Sequence, residues 1–351
     1  MMRRPILIPT LLCIVLACGW GIAAVAAGGI SPAALQRLSP EARAALQQAK
    51  ISSMHDLPVP GAASITPALV SLGKLLYFDP RLSGDGTLSC ATCHDPKIGW
   101  AETDKTSVGI RNQVGGRNAP TVLNSAYYHA LFWDGRAGSL EEQALGPIQN
   151  PIEMGNTLEN AIATLQKISG YKTYFQAAFG DEQITAERVG KAIAAFERTV
   201  VSGPSPFDEF LGGKVSALTD QQVRGLELFL TKGGCTTCHT GPFLTGQDYH
   251  PVGIHGDEGR YKVTGQAADK EAFRVPTLRD IERTPPYFHD GSSPTLEDAV
   301  FFRGNEMTRE EAKKDPGAKL TITDAEAKDI AAFLRSLNGR LPKVDVPKLP
   351  Q

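Results

Sequence analysis

The sequence predicts a mainly α-helical protein of two domains related by internal duplication, and three observations lead there. The pentapeptide Cys-x-x-Cys-His stands once in each half, as Cys90-Ala-Thr-Cys93-His94 and Cys235-Thr-Thr-Cys238-His239. Other segments of the first half recur in the second in the same order. Each half also closes on apolar residues three or four apart, the mark of a helix with one buried face: Val189, Ile193, Phe196 and Val200, then Ile330, Phe333, Leu334 and Leu337. At 351 residues the chain can hold two domains of ordinary size, each with its own core.

Composition narrows the class. With 42% hydrophobic and 21% charged residues, and 36 Lys+Arg against 38 Asp+Glu, the chain is an ordinary globular protein of net charge −2. There is no basic footprint for nucleic acid and no disordered tail.

Taken in order, Arg3 and Arg4 precede a charge-free run from Ile6 to Ala27 that ends in the small-x-small pattern Ala24-Val25-Ala26. Residues 1–26 therefore read as an export signal, with Ala27 as the first mature residue and the periplasm as destination. Retention of the run as a membrane anchor is the alternative, since its length would span a bilayer. Val15-Leu16-Ala17-Cys18 resembles a lipoprotein site only loosely, because the apolar run continues past Cys18. Residues 27–61 read as an N-terminal extension, helical around Pro40 to Lys50, followed by a Pro-rich linker.

The first domain, 62–203, opens with Leu72-Gly-Lys-Leu-Leu-Tyr-Phe78, and the second, 204–341, with Arg224-Gly-Leu-Glu-Leu-Phe229. Pro120-Thr-Val-Leu and Phe132-Trp-Asp-Gly135 recur as Pro276-Thr-Leu and Phe288-His-Asp-Gly291, both displaced by 156 positions (120 to 276, 132 to 288). Ala192-Ile-Ala-Ala-Phe-Glu-Arg198 recurs as Asp329-Ile-Ala-Ala-Phe-Leu-Arg335. Thr219 with Gln222 and Thr323 with Glu326 form capping boxes for the helices they precede. The connections are rich in Gly and Pro, 35 and 24 in all, as suits loops that wrap a cofactor. Residues 342–351, with Pro342, Pro347 and Pro350, read as an extended tail.

Of six cysteines, Cys13 and Cys18 leave with the signal, and the other four all belong to the pentapeptides. In Cys-x-x-Cys-His two thiols add to the vinyl groups of a haem while the adjacent imidazole reaches its iron. Two such pentapeptides would arise by chance with a probability of roughly one in a million. A zinc site, a redox dithiol or two disulfides would also use paired cysteines, but none of them requires His after both pairs. Export also favours covalent haem. The expectation is two haems c, attached at Cys90 and Cys93 and at Cys235 and Cys238, with His94 and His239 as proximal iron ligands. Helix, attachment motif, long loops and closing helix form the cytochrome c plan, here occurring twice.

Together with both pentapeptides, Phe132-Trp-Asp-Gly-Arg-Ala137, Gly146-Pro-Ile-Gln149, Glu153-Met154 and Pro286-Tyr-Phe-His-Asp-Gly291 resemble the bacterial di-haem cytochrome c peroxidase and MauG superfamily. The resemblance runs over residues 66–340. It implies that the N-terminal haem reacts with peroxide and the C-terminal haem receives electrons. Glu153 falls on the family's distal carboxylate, which shuttles a proton between the peroxide oxygens. Gln143 falls on its distal glutamine, and Trp133 on the tryptophan between the haems. Asn118, Thr284 and Pro286 occupy the positions of a calcium site at the domain junction, where oxygen ligands suit Ca2+.

Two positions depart from the family. Members that need reductive activation carry a removable His ligand where this chain has Ile110. Isoleucine cannot ligate iron, so the first haem is expected to be five-coordinate and open. The other haem's sixth ligand in the family, Met or Tyr, aligns with Arg303, which cannot serve. Met307 is the nearest replacement, with His250, His255 and Tyr261 as further candidates. The expected function is an exported di-haem peroxidase that reduces hydrogen peroxide to water with electrons from a small cytochrome or cupredoxin. A MauG-like oxidase of Trp or Tyr side chains in a partner protein is the rival, and a pure electron carrier the third reading. A homodimer is compatible with the sequence.

Overall fold

The structure is a computed structural model that describes residues 29–54, 57–309, 311, 319 and 321–351. The export signal expected at residues 1–26 lies outside the described residues. Among the described residues are thirteen α-helices and one two-stranded sheet, in keeping with the mainly helical class.

Pro and Ser shape the first helices. In both α1 (Pro32–Gln36) and α2 (Pro40–Gln48), a serine caps the helix and Pro supplies the first residue, whose missing N–H has no intrahelical acceptor in any case. The helix α3 (Pro67–Tyr77) starts the same way, with Thr66 accepting from the Leu69 N–H. The first attachment motif forms the single turn α4 (Cys90–Cys93). Four helices follow: α5 (Leu140–Gln149), α6 (Leu158–Gln166), α7 (Ser169–Phe179) and α8 (Ala186–Glu197).

In the second half, α9 (Pro206–Leu211) leads to α10 (Asp220–Leu230), which starts at the Thr219–Gln222 capping box. Next come a 3-10 turn at Cys235–Thr237, α11 (Tyr261–Thr264), α12 (Leu296–Asn305) and α13 (Asp324–Arg335). The last of these starts at the Thr323–Glu326 box. The strands β1 (Tyr249–Pro251) and β2 (Ala272–Arg274) pair antiparallel, with His250 opposite Phe273.

The duplication extends to the backbone. In the first half α3 crosses α8 so closely that a Cβ on Gly73 would lie 1.8 Å from the Ala192 carbonyl oxygen. In the second, α10 crosses α13 with Gly225 set against the Asp329 carbonyl, where a Cβ would lie 1.9 Å away. Each Phe of the repeated Phe-x-Asp-Gly motif has positive φ, 64° at Phe132 and 72° at Phe288. Asn124 and Asp280, also 156 positions apart, adopt φ of 61° and 60°. The bridge Leu131–Ala137 has its twin in Tyr287–Ser293. Positive φ is costly for a bulky residue, so its retention at matched places marks a shared loop geometry.

Two main cores result, and the chain ends are exchanged between them. One core gathers Leu72, Leu76, Tyr171, Ile193 and Phe196 of the first half. The other gathers Phe207, Leu226, Phe229, Ile330 and Phe333, and takes in Ala34, Leu38, Leu46 and Ile51 from the N-terminal extension. Conversely, the tail runs without regular structure back to the first half, where Leu341, Val344 and Leu349 lie on its core. There the Gln351 carbonyl accepts from the Gly170 N–H at 3.0 Å and the Pro350 carbonyl accepts from Arg81 at 3.0 Å. A buried guanidinium, Arg279, pairs with Asp208 at 2.9 Å and donates to the Ser52 carbonyl at 3.1 Å, tying α9 to the N-terminal extension.

Because the Gly225 contact is with backbone, which cannot move aside, Gly225→Ala is expected to destabilise the protein by about 1–3 kcal/mol, the usual penalty of overpacking. The control Gly138→Ala, whose new methyl would meet nothing nearer than Glu142 Oε2 at 3.7 Å, should stay within about 0.5 kcal/mol. Thermal unfolding of the two variants beside the parent protein measures both.

Candidate active site: two cavities with a common wall

The two attachment motifs open into separate cavities. Cys90, Cys93 and His94 line the first, of about 750 Å³, and Cys235, Cys238 and His239 line the second, of about 280 Å³. All four cysteines are free thiols. The pairs do not converge, and among the described residues no group of three or more His, Cys, Asp or Glu is placed to hold a metal ion, which removes the zinc reading.

The side chains fit a haem in each cavity. Burial pushes both His94 and His239 down to about 4, so each imidazole is neutral at ordinary pH, the form that ligates iron. His239 Nδ1 lies 2.8 Å from the Leu244 carbonyl; as a donor there it leaves Nε2 as the free lone pair. Burial also pushes the Cys90 and Cys235 thiols up to about 12, keeping them protonated in the walls of their cavities.

One wall of the first cavity is built by α5 and the turn that follows. Gln143 and Pro147 line it from the helix, and Glu153 from the turn. Asn150, at the end of α5, donates from Nδ2 to Glu153 Oε1 at 2.6 Å and fixes the carboxyl's direction. Burial raises the Glu153 carboxyl above the ordinary range, and Arg136 and the Asn150 hydrogen bond partly offset that. Arg136 is itself held by Asp134 at 2.9 Å and lies over the Phe132 ring at 3.5 Å. Such a carboxyl suits taking up and releasing a proton.

Ile110 contributes no side chain to this cavity. It is buried, and a Cβ on Gly155 would sit 2.9 Å from its Cγ2, so the side chain is packed under the Glu153 turn. Its N–H donates to the Glu153 carbonyl at 2.7 Å, pinning the loop to that turn.

Trp133 belongs to both cavities. Its indole N–H donates to the Asn118 carbonyl at 2.8 Å, and its ring meets His289 edge-on with centroids 6.4 Å apart. These are the second residues of the repeated Phe-x-Asp-Gly motif, so the duplication places its own two copies against each other at the common wall. His289 is stacked on Phe273 at 3.7 Å. Tyr128 also lines both cavities, its hydroxyl accepting from the Thr277 N–H at 2.7 Å and its ring lying under Arg274 at 3.7 Å. Sequence reasoning missed Tyr128 and Arg274; the one available signal was that Tyr128 sits four residues before Phe132.

Asn118, Thr284 and Pro286, the calcium candidates, all line the second cavity. Asn118 Nδ2 donates to the Asp104 carbonyl at 3.1 Å. On the sixth-ligand question, Arg303 and His250 line this cavity, and Arg303 donates to the Val252 carbonyl at 3.3 Å. Met307 is half-buried beyond the end of α12 and is not among the lining residues. Tyr261 is exposed, and His255 is exposed and bonded to Glu271 at 2.8 Å.

A polar rim that the sequence did not reveal centres on Arg117, which also lines the first cavity. It reaches Asp134 and Asp257, each at 2.6 Å, joining the two halves of the chain.

Two cavities with haem-attachment residues, a carboxyl raised by burial in one and aromatic rings between them describe an oxidoreductase that links two redox centres. The chain belongs to the di-haem cytochrome c peroxidase family: residues 67–216 match the family described as Di-haem cytochrome c peroxidase, and residues 222–338 the family described as Cytochrome c. It is 42% identical to a cytochrome c551 peroxidase of Nitrosomonas europaea over 304 residues, 84% of this chain and 87% of that protein. It is 36% identical to the methylamine utilization protein MauG of Methylorubrum extorquens, over 99% of this chain and 100% of that protein. Among solved structures, a MauG-like protein associated with microbial copper homeostasis matches with a TM-score of 0.71 and 29% identity, covering 81% of this chain and 93% of that one.

The guanidinium of Arg117 holds the Asp257 carboxyl well below the usual aspartate range. A depressed folded-state value adds stability above the unfolded aspartate pKa of about 3.9, and that stability is lost as pH falls below it. Asp257→Asn should therefore lower the melting temperature at neutral pH and narrow the difference from the parent protein on acidification, as a pH series of thermal melts measures.

Proposed function

We propose that the protein is an exported di-haem peroxidase of the periplasm, reducing hydrogen peroxide to water with electrons from a small cytochrome or cupredoxin. The observation that carries this reading is the half-buried Glu153 carboxyl, oriented by Asn150 and lining the same cavity as His94. Haem, when bound, supplies the iron that receives the peroxide and the electrons that reduce it. The chain's own residues do the rest. Cys90 and Cys93 would fix one haem and Cys235 and Cys238 the other, and His94 and His239 would ligate their irons. With Ile110 packed away, no side chain from that position would compete with peroxide for the first iron. Glu153 takes the proton from one peroxide oxygen and delivers it to the other, which leaves as water. Gln143 orients the oxidant by hydrogen bonding, and Trp133 offers an oxidisable ring between the two sites.

The sixth position in the second site falls between Met307 and His250, and the place of His250 on the cavity wall favours the imidazole. A calcium ion held by the side-chain oxygen of Asn118 and the carbonyls of Thr284 and Pro286 would fasten the two halves where Trp133 and His289 meet.

Ile110 also supports a second reading, a MauG-like oxidase of Trp or Tyr residues in a partner, because such an enzyme likewise needs an open first site. Both readings require the diferric protein to react with peroxide without prior reduction. Glu153→Gln should slow that reaction at least roughly tenfold in stopped-flow absorbance, with both haem spectra intact. An unchanged rate would remove Glu153 from the proton path.

Turnover separates the readings. A peroxidase consumes peroxide steadily with some member of a panel of reduced cytochromes and cupredoxins, and Trp133→Phe lowers that rate. Negligible turnover with the whole panel, together with peroxide-dependent oxidation of Trp or Tyr in a co-purifying protein, favours the oxidase.

A further inference from the structure

The two closing helices differ at one buried position. Glu197 ends α8, and the repeat aligns it with Leu334 of α13. Both are buried, 5% and 4% exposed, and each lines the cavity of its own half. The first cavity thus has a carboxyl where the second has an isobutyl group. Among the described residues Glu197 Oε2 has no hydrogen-bond partner. Arg198, the adjacent cation, is engaged by Glu141 at 2.7 and 3.1 Å. The carboxyl is close enough to the attachment site to act on the Cys90 thiol, whose pKa it raises.

An unpartnered buried carboxyl destabilises a fold, and a leucine at this place is compatible with the same helix pairing, as the second half demonstrates. We propose that Glu197 is a potential-setting residue that lowers the reduction potential of the haem in the first cavity. The proposal rests on the reading that a haem is attached at Cys90 and Cys93. A ferric porphyrin core carries one net positive charge, which it loses when it gains an electron. A carboxylate in the same poorly screened wall therefore favours the ferric state, and Leu334 exerts no such bias on the second haem. Burial pushes the Glu197 carboxyl up to about 8, a cost that the positive ferric core opposes.

The test uses the full mature holoprotein. Mass spectrometry first establishes two haems per chain in the parent and in Glu197→Gln and Glu197→Leu; a parent lacking the first haem would remove the underlying reading, independently of this proposal. Spectroelectrochemical titration at mildly alkaline pH, where the carboxyl ionises, then gives both midpoint potentials. The expected result is a rise for the first haem in both variants with the second unchanged. Glu197→Leu, the side chain the repeat already accepts, answers the question if the Gln variant fails to assemble. An unchanged first potential, or equal shifts at both haems, would overturn the proposal.

Discussion

Each half is organised by one contact: a glycine on the opening helix pressed against a carbonyl on the closing helix. At Gly73 over Ala192 and at Gly225 over Asp329 there is no room for even one methyl group. The absent side chain lets backbone meet backbone, which fixes how far apart the helices stand and where the attachment motif, 13 residues past the end of α3 (77 to 90) and five past the end of α10 (230 to 235), emerges between them. Burial of the imidazoles and thiols follows from that spacing, and so does the direction in which Glu197 and Leu334 face. A fold that began from a looser crossing would not bring the attachment residues and the closing helix around one cavity.

The second organising relation is between the halves. Trp133 and His289 descend from the same position of one ancestral loop and meet edge-on, each preceded by a phenylalanine of positive φ. The strained loops persist where they are because both halves use them to present a ring to the common wall. Arg117 reinforces this junction by joining Asp134 of one half to Asp257 of the other. The same region therefore both joins the halves and forms the wall between the two cavities.

Much of this was legible in the sequence, and the legible parts share a cause. Covalent attachment needs Cys, Cys and His at fixed spacing, capping needs Thr three residues before Gln or Glu, and a buried helix face needs its period. These are local demands, and both Thr capping boxes stand where the spacing put them. Glu153, Gln143 and Trp133 reached attention through resemblance, and the structure brings all three to one cavity. Tyr128, Arg274 and Arg117 went unread because their neighbours lie more than a hundred residues away in the chain, at Thr277, Tyr128 and Asp257, and no local pattern encodes such a meeting. Met307 follows from distance along the chain beyond Arg303, and the structure places it half-buried past the end of α12, outside the lining of the second cavity.

The exchange of chain ends carries a consequence for how the molecule comes apart and together. Residues of the N-terminal extension from Ala34 to Ile51 complete the second core, and the tail, with the Gln351 carbonyl on Gly170, completes the first. Neither half can melt without releasing a strap that belongs to the other, so the two are coupled into one cooperative unit although each has its own core. The order of synthesis is bound by the same arrangement: the N-terminal half, though made first, is finished only when residues 341–351 arrive.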